Sequence, residues 1–356
     1  MMRINCRLQW HTILFSASLL LVLLACDFSD NETDNGCLPD VDTENIDVQV
    51  QIVRTDSTLF ACRSKEEVAR WLEQYPDFAE RYFLRSRWPS DSLLVEELYR
   101  LIDTPSLDSV YQEVQAAYGD MQWLKKEFEE AFKRVKYHFP GFTPPVIYTF
   151  FTGYGSGATV TRTPDLMVSG DMAVIGMEFF MGPGYRFQPP YPLYIARRYH
   201  RGSIVPFVLQ MLAPRFIDED PEDKSMLADM IFYGKAFYFV KNMLPCLPDS
   251  TLFGYTEKQV LTLQANEQAI WRHYIDKNVL YETSHLVKKD YVDPAPFCYP
   301  IGKECPGEVG RWTGYLIVRR YHERHPELSL KQVLAEKDAK KILRESKYKG
   351  NYYTTD

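Results

Sequence analysis

Hydrophobic and polar residues alternate in the segment after residue 45, where Ile46, Val48, Val50 and Ile52 are separated by polar side chains. A period of two places every second side chain on the same face of an extended chain. We therefore predict a half-buried strand that begins at Ile46 and opens the folded part of the chain.

The spacing of apolar residues becomes helical from Ser64 onward. Ser64-Lys-Glu-Glu67 is a capping box, in which the serine and glutamate side chains accept hydrogen bonds from backbone N–H groups at the start of a helix. Helical spacing recurs over 91–102 and 107–137. We predict that these helices share a core formed by Val68, Trp71, Leu72, Tyr75, Leu94, Leu98, Leu101, Val110, Val114, Tyr118, Leu124, Phe128, Phe132 and Val135.

Two segments rich in β-branched and aromatic residues follow, VIYTFFTG at 146–153 and DMAVIGMEFFMG at 171–182. Glycine ends each segment, as is common where a strand stops. We predict that they are neighbouring strands of one small sheet, and that Gly153, Gly155 and Gly157 belong to a flexible hairpin loop between them.

The second half of the chain is predicted to be helical. The stretch 290–307 has too many prolines and glycines for regular structure. Gly310 and Gly314 lie about one turn apart on one helix face, so another element can approach the backbone closely there. The fold class is α+β, predominantly helical and without an internal repeat, with later helices predicted over 193–199, 204–212, 226–245, 256–278, 307–324 and 328–345.

The N-terminus has the layout of a secretory signal. Arg3 and Arg7 precede an apolar run from Ile13 to Ala25, which is shorter than the roughly 20 residues that a spanning helix needs. The sequence Leu-Leu-Ala-Cys that ends at Cys26 resembles the lipobox of bacterial lipoproteins. This resemblance implies cleavage before Cys26 and a diacylglycerol group on its thiol; the alternative is an ordinary signal peptide followed by a chance cysteine.

The pattern divides the chain into a signal peptide (1–25), a lipidated acidic tether (26–44), one globular domain (45–350) and a short tail (351–356). Within the domain we expect a helical and small-sheet part at about 45–190 and a helical part at about 191–350. The tether begins DFSDNETDNG after Cys26, a composition too polar to pack a core. Such acidic tethers resemble the address of surface-exposed lipoproteins in Bacteroidetes, and a spacer without an address is an equal alternative.

The charge of the mature chain argues against two classes of partner. Removal of residues 1–25 takes two of the 41 basic side chains and leaves 39 against 48 acidic ones, a net charge of −9. Nucleic acid and anionic lipid are therefore poor partners.

Five cysteines remain when Cys6 leaves with the signal and Cys26 carries lipid, and their spacings fit no zinc module. Cys298 and Cys305 bracket the loop YPIGKE, where the sequence allows either a local disulfide or two free thiols. The other three are Cys37, Cys62 and Cys246.

A search for catalytic motifs returns no strong match. HExxH, which holds zinc through two histidines one helical turn apart, is absent; His322-Glu-Arg-His325 is one residue too short, and we interpret it as a solvated helix end. GxSxG, the P-loop and dinucleotide-binding glycines are absent too. The acidic run Asp218, Glu219, Asp220, Glu222 and Asp223 lacks the spacing of a calcium loop, so we interpret it as solvated charge.

Seven strings in order along the chain resemble the gliding-motility lipoprotein GldB family of Bacteroidetes, from about Ile46 to Lys349. They are DMAVIGMEFFMGPG, RGSIVPFVLQML, YGKAFYFVKNMLP, NEQAIWRHYIDKNVLY, DPAPF, PGEVGRWTGYLIVRRY and ESKYKG. The resemblance implies a lipid-anchored component of gliding motility or of the associated type 9 secretion machinery. It also implies other envelope proteins as partners and a location in the cell envelope, at the outer membrane.

A more distant likeness is to zincin-type proteases, in which a small sheet precedes an HExxH helix and a later helix carries a third ligand. If it holds, Tyr233 occupies that ligand position and the segment from Tyr199 to Pro206 lies where the histidine pair belongs. His200 alone cannot supply the three protein ligands of a catalytic zinc. The likeness therefore implies a zincin-like scaffold, with a small sheet and a helical C-terminal lobe, that has lost its metal.

These observations lead to one hypothesis and two alternatives. The first is a membrane-anchored protein that is non-catalytic, with Cys26 as its functional residue and no catalytic, cofactor or metal residue. The second is an envelope hydrolase derived from the zincin scaffold that uses Glu178, Asp218 or Glu267. The third is a glycan-handling surface lipoprotein, because exposed tyrosines stack on sugars and the chain has 24 of them.

Overall fold

The computed structural model describes residues 37–155, 164–188 and 191–353. Its sheet has four strands in the order β1-β2-β4-β3. β1, β2 and β4 run parallel, and β3 pairs with β4 in the antiparallel sense. The strands are β1 (Ile52–Arg54), β2 (Val146–Phe150), β3 (Leu166–Ser169) and β4 (Met172–Gly176).

The first strand is shorter than its alternating pattern predicts. Val48 and Val50 are buried as expected, but ladder pairing with β2 begins only at Ile52. Side chains of the helix at 122–138 bond the backbone before it: Val50 N–H donates to Glu129, and the Lys136 ammonium donates to the Asp47 carbonyl, at 3.4 and 3.1 Å. The alternating pattern thus predicted which side chains are buried. It did not predict where pairing begins, because β2 pairs with this segment only from residue 52 onward.

The two β-rich segments are neighbours, as predicted, but the predicted hairpin between them is wrong. β2 and β4 are parallel, with Ile147 beside Ala173 and Thr149 beside Ile175. A two-strand hairpin cannot join parallel strands. The hairpin instead links β4 to β3, a strand that the sequence pattern did not reveal. Gly157 lies outside the described residues.

In the described part of the chain, six helices precede the second strand and pack an aromatic core. The capping box at Ser64 is confirmed in part: Ser64 accepts from Glu67 N–H, while the Glu67 carboxylate accepts from Arg63 N–H rather than Ser64 N–H. Phe78 packs against Phe83, Tyr148 and Phe150 at ring separations of 5.2 to 5.8 Å. The helices are α1 (Thr55–Phe60), α2 (Lys65–Gln74), α3 (Pro76–Phe83), α4 (Asp91–Asp103), α5 (Pro105–Tyr118) and α6 (Gln122–His138).

Ten more helices follow the sheet within residues 191–353. They are α7 (Leu193–Ala196), α8 (Ile204–Leu212), α9 (Met226–Met243), α10 (Asp249–Phe253), α11 (Glu257–Ala265), α12 (Glu267–Asp276), α13 (His285–Val292), α14 (Val309–Arg324), α15 (Leu330–Ala335) and α16 (Ala339–Ser346).

Helices α9 and α14 cross at the centre of this part, and glycines set their separation. A Cβ added at Gly314 would overlap the carbonyl oxygen of Met230, and one added at Gly234 would overlap the Gly314 carbonyl group. The predicted close approach at Gly310 and Gly314 is therefore confirmed, and its partner is α9. Such a crossing requires positions without side chains.

Three predicted helices are each interrupted. The stretch 107–137 breaks at Gly119, which has φ +61°, and 256–278 breaks at Asn266, whose side chain bonds the Thr262 carbonyl at 2.8 Å. The stretch 328–345 breaks after Ala335, because the buried Lys235 ammonium takes the carbonyls of Leu334 and Glu336 from the helix end. The 193–199 helix is also shorter than predicted, ending at Ala196.

The described residues from Cys37 onward form one compact unit. Within the same residues, no helix combines the length and the apolar character that crossing a bilayer demands.

Candidate functional site

The predicted lipid attachment residue, Cys26, lies outside the described residues. The described chain begins at Cys37, which forms a disulfide with Cys246, 209 residues away in sequence. Leu38 N–H donates to the Pro245 carbonyl at 3.1 Å beside it. The start of the globule is thus fixed covalently to the segment that follows α9.

An ion pair extends this attachment onto α6. The Arg134 guanidinium donates two hydrogen bonds to the Asp40 carboxylate, at 2.7 and 2.6 Å. These bonds hold the pKa of Asp40 below its ordinary value and raise the pKa of Arg134. A bidentate pair of this kind fixes the orientation of the chain as well as its position.

A cavity of about 530 Å³, which we call the entry groove, lies against this attachment. Its lining is largely apolar and includes charged side chains of both signs. A pocket of this size and composition can bury apolar surface of a bound molecule and orient it through polar groups. The lining residues are Leu38, Asp40, Lys126, Glu127, Glu130, Arg134, Gly202, Val205, Pro206, Leu244, Pro245, Cys246, Leu247 and Pro248.

A second cluster, which the sequence pattern did not reveal, joins α7 to the start of α14. The buried Glu308 carboxylate makes ion pairs with Arg198 and, at 2.8 Å, with Arg311. Glu308 has φ +62°, a left-handed conformation that is uncommon for a residue with a side chain. The Arg311 guanidinium lies over the Tyr233 ring, 4.0 Å from its centroid.

Glu178, a candidate catalytic residue, is fully buried at the end of β4. Its Oε1 accepts hydrogen bonds from the Thr152 N–H and hydroxyl, both at 2.6 Å. Burial raises its pKa to about 7, against the opposing effect of the Thr152 hydrogen bonds. Within the described part of the chain, Glu178 Oε2 and the buried Tyr118 hydroxyl have no hydrogen-bond partner.

The other two candidate carboxylates lie far apart in the fold and differ in role. Glu267 is buried and accepts from the N–H groups of Tyr352 and Tyr353 at 2.8 to 3.0 Å, which fixes the C-terminal segment. Asp218 has an exposed side chain, and its carbonyl accepts from the Lys235 ammonium at 2.9 Å. The structure does not bring Glu178, Asp218 and Glu267 into one site.

The histidines that sequence analysis singled out each have a local partner. His322 is half-buried rather than solvated: one ring nitrogen bonds the Tyr238 hydroxyl at 2.8 Å and the other the Leu328 carbonyl at 2.7 Å. His325 lies 3.1 Å from Glu327. Burial lowers the pKa of His200, whose backbone N–H donates to the Ser203 hydroxyl. Across residues 37–155, 164–188 and 191–353, no three His, Cys, Asp or Glu side chains are grouped so that they could hold a metal ion.

Comparison with known proteins gives one match. The family model described as gliding motility protein GldB matches residues 37–350. No curated protein and no solved structure matches the chain, so the zincin likeness stays a prediction. The match begins at the cysteine that forms the disulfide and includes the entry groove and the Glu308 cluster. The chain therefore belongs to the GldB family of gliding-motility proteins.

Proposed function

We propose that the mature protein is held in the bacterial envelope by lipid on Cys26 and acts there as a non-catalytic component of the gliding machinery or of the associated type 9 secretion machinery. The observation that carries the proposal is the Cys37–Cys246 disulfide. Disulfides persist in oxidising compartments outside the cytoplasm and are rare within it. The disulfide therefore supports export independently of the signal sequence.

The position of the disulfide also supports anchoring. Cys37 lies 11 residues after Cys26. A chain of this length spans at most about 40 Å when fully extended. Lipid on Cys26 would thus keep the globule close to the membrane surface, with the entry groove beside the point of attachment.

The non-catalytic role is supported by the hydrogen bonds that the candidate catalytic side chains make within the fold. Glu178 holds the Thr152 backbone and Glu267 holds the C-terminal segment. Both ring nitrogens of His322 make hydrogen bonds, to the Tyr238 hydroxyl and to the Leu328 carbonyl. These groups act as hydrogen-bond partners within the fold.

Cell fractionation tests the anchor. We expect the wild-type protein in the membrane fraction and Cys26→Ala in the soluble fraction, because the variant has no thiol to receive lipid. Cys62→Ala is the matched control, since Cys62 is a half-buried free thiol of the globule, and it should remain with the membrane. Membrane retention of Cys26→Ala would contradict the proposal. Protease treatment of intact cells then distinguishes the surface from the periplasmic face.

Complementation tests the non-catalytic role. In a gliding host that lacks its own copy, Glu178→Gln, Asp218→Asn and Glu267→Gln should each restore motility when they reach normal envelope levels. Loss of motility in a variant that is folded and correctly located would favour the hydrolase alternative instead.

A further inference from the structure

The loop between Cys298 and Cys305 brings two buried thiols together. Both are free cysteines in the structure, 0% and 7% exposed. Cys298 N–H donates to the Cys305 carbonyl at 2.8 Å. This bond holds the two cysteines next to each other, as a disulfide requires, since its Cα atoms lie roughly 4.4 to 6.8 Å apart.

Hydrogen bonds inside the loop maintain this approach. Gly302 N–H donates to the Cys298 carbonyl at 2.9 Å, and Cys305 N–H donates to the Gly302 carbonyl at 3.1 Å. The neighbouring Cys298 thiol raises the pKa of the Cys305 thiol, and burial raises it further. The fold therefore positions the pair without the help of a covalent bond.

The remaining free thiol is not part of this arrangement. Cys62 follows α1, and its sulfur bonds the Thr58 carbonyl at 3.6 Å. Cys37 and Cys246 are bonded to each other. Among the described cysteines, Cys37 and Cys246 are therefore already bonded and Cys62 lies elsewhere, so Cys298 and Cys305 are the two thiols that can pair.

We propose that Cys298 and Cys305 form a second disulfide in the exported protein. A disulfide-bearing oxidoreductase of the envelope supplies the oxidising equivalents. The thiolate of one cysteine attacks the oxidant's disulfide to give a mixed disulfide, and the sulfur of the other cysteine then displaces the oxidant. One S–S bond forms, two protons and two electrons leave the pair, and the oxidant departs as a dithiol. Because both sulfurs are buried in the folded protein, the exchange takes place while the chain folds.

This disulfide would fix one wall of a second cavity, which we call the loop pocket. Its volume is about 480 Å³, and the loop residues Ile301 to Cys305 face α11 and α12 across it. Lys303 and Glu304 are exposed and supply charged groups to the pocket, whose other lining side chains are partly polar and partly apolar. The remaining lining residues are Thr262, Leu263, Asn266, Ala269, Ile270 and His273.

Peptide mapping of the full-length protein from its native envelope tests the proposal. Free thiols are blocked with a maleimide in denaturant at lysis, and the protein is digested with trypsin without reduction. Cleavage after Lys289, Lys303 and Arg311 places the two cysteines on separate peptides, 290–303 and 304–311. We expect these peptides to be joined by a bond that reduction breaks, while Cys62 carries the maleimide.

The remaining outcomes separate this inference from the proposed export. Maleimide on Cys298 and Cys305, with Cys37 and Cys246 still bonded, overturns the second disulfide alone. Maleimide on all four overturns the proposed export as well.

Variants give a second test. Cys298→Ser should leave the Cys305 thiol free for maleimide. After trypsin cleaves this variant at Lys303, the two resulting fragments should run separately on a non-reducing gel. Cys62→Ser is the matched control and should keep the two fragments joined until a reductant is added. Separation of the Cys62→Ser fragments without reductant would contradict the proposal.

Discussion

Gly314 of α14 lies directly against the carbonyl oxygen of Met230 in α9, with no room for a Cβ between them. Gly234 of α9 faces the Gly314 backbone in turn, so the two central helices touch main chain to main chain.

Gly314→Ala should destabilise the protein by about 3 kcal/mol or more, because the added methyl group must push rigid backbone apart. Thermal unfolding followed by circular dichroism measures the effect as a fall in Tm of several degrees. Gly141→Ala is the matched control, since a Cβ there meets no atom within 4 Å. Equal Tm values for the two variants would show that the crossing is not as tight as described.

Glu178 should make stability depend on pH. Its folded pKa of about 7 lies above the ordinary 4.5, so the native state binds more protons than the unfolded state between these values. Stability therefore falls as pH rises through this window, by up to about 3 kcal/mol. Glu178→Gln removes the titration, and its urea midpoint should change less than that of the wild type from pH 5 to pH 8. The exposed Glu44→Gln serves as control and should follow the wild type.

Loss of the disulfide should be costly. Cys37→Ser should lower the free energy of unfolding by about 2 to 5 kcal/mol, because the unfolded chain regains the freedom of a very long loop. Urea unfolding of Cys37→Ser, compared with Cys62→Ser, measures this difference. If Cys37→Ser is as stable as Cys62→Ser, or if reductant lowers the stability of the wild type no further than that of Cys37→Ser, the disulfide contributes nothing.

The Glu308 cluster should respond to single and double substitution in opposite ways. Glu308→Met leaves Arg198 and Arg311 without their shared carboxylate and should cost about 3 to 5 kcal/mol. Replacing Arg198 by Met as well removes one of the stranded charges and should recover part of that loss. Denaturant unfolding of both variants tests this, and a double variant less stable than Glu308→Met would contradict it.

Sequence patterns predicted the elements whose burial is periodic. The helices at 91–103 and 204–212, the long helix from Met226 and the glycine face of α14 all follow from local spacing. The predominantly helical α+β class and the family resemblance are confirmed. Local spacing was sufficient in these cases because each helix needs only one apolar face to be specified.

The remaining features depend on contacts that are distant in sequence. Lys235 ends α15 from 99 residues away, and no pattern within 328–345 signals that break. No sequence pattern indicates that β2 and β4 run parallel, because side-chain alternation is the same for both strand directions. Cysteine spacing alone cannot choose among the pairings of five cysteines, so Cys37 with Cys246 was not predicted.

In the candidate site too, features set by neighbouring residues could be predicted, and features set by distant residues could not. Lipobox residues are contiguous and could be predicted at Cys26, whereas Arg198 and Glu308 are separated by 110 residues. The left-handed conformation of Glu308 likewise has no local sequence signal, since glycine or asparagine is the usual residue there. A buried ion cluster assembled from two distant segments becomes visible only in the folded chain.

The Cys37–Cys246 bond also determines where mechanical load enters the protein. A pull on the chain at Cys37 crosses through a covalent bond to the segment after α9. The edge strand β1, three residues long and held by hydrogen bonds, lies beyond that crossing. Tension applied at Cys37 is therefore shared with the segment after α9, and it does not act on the sheet through β1 alone.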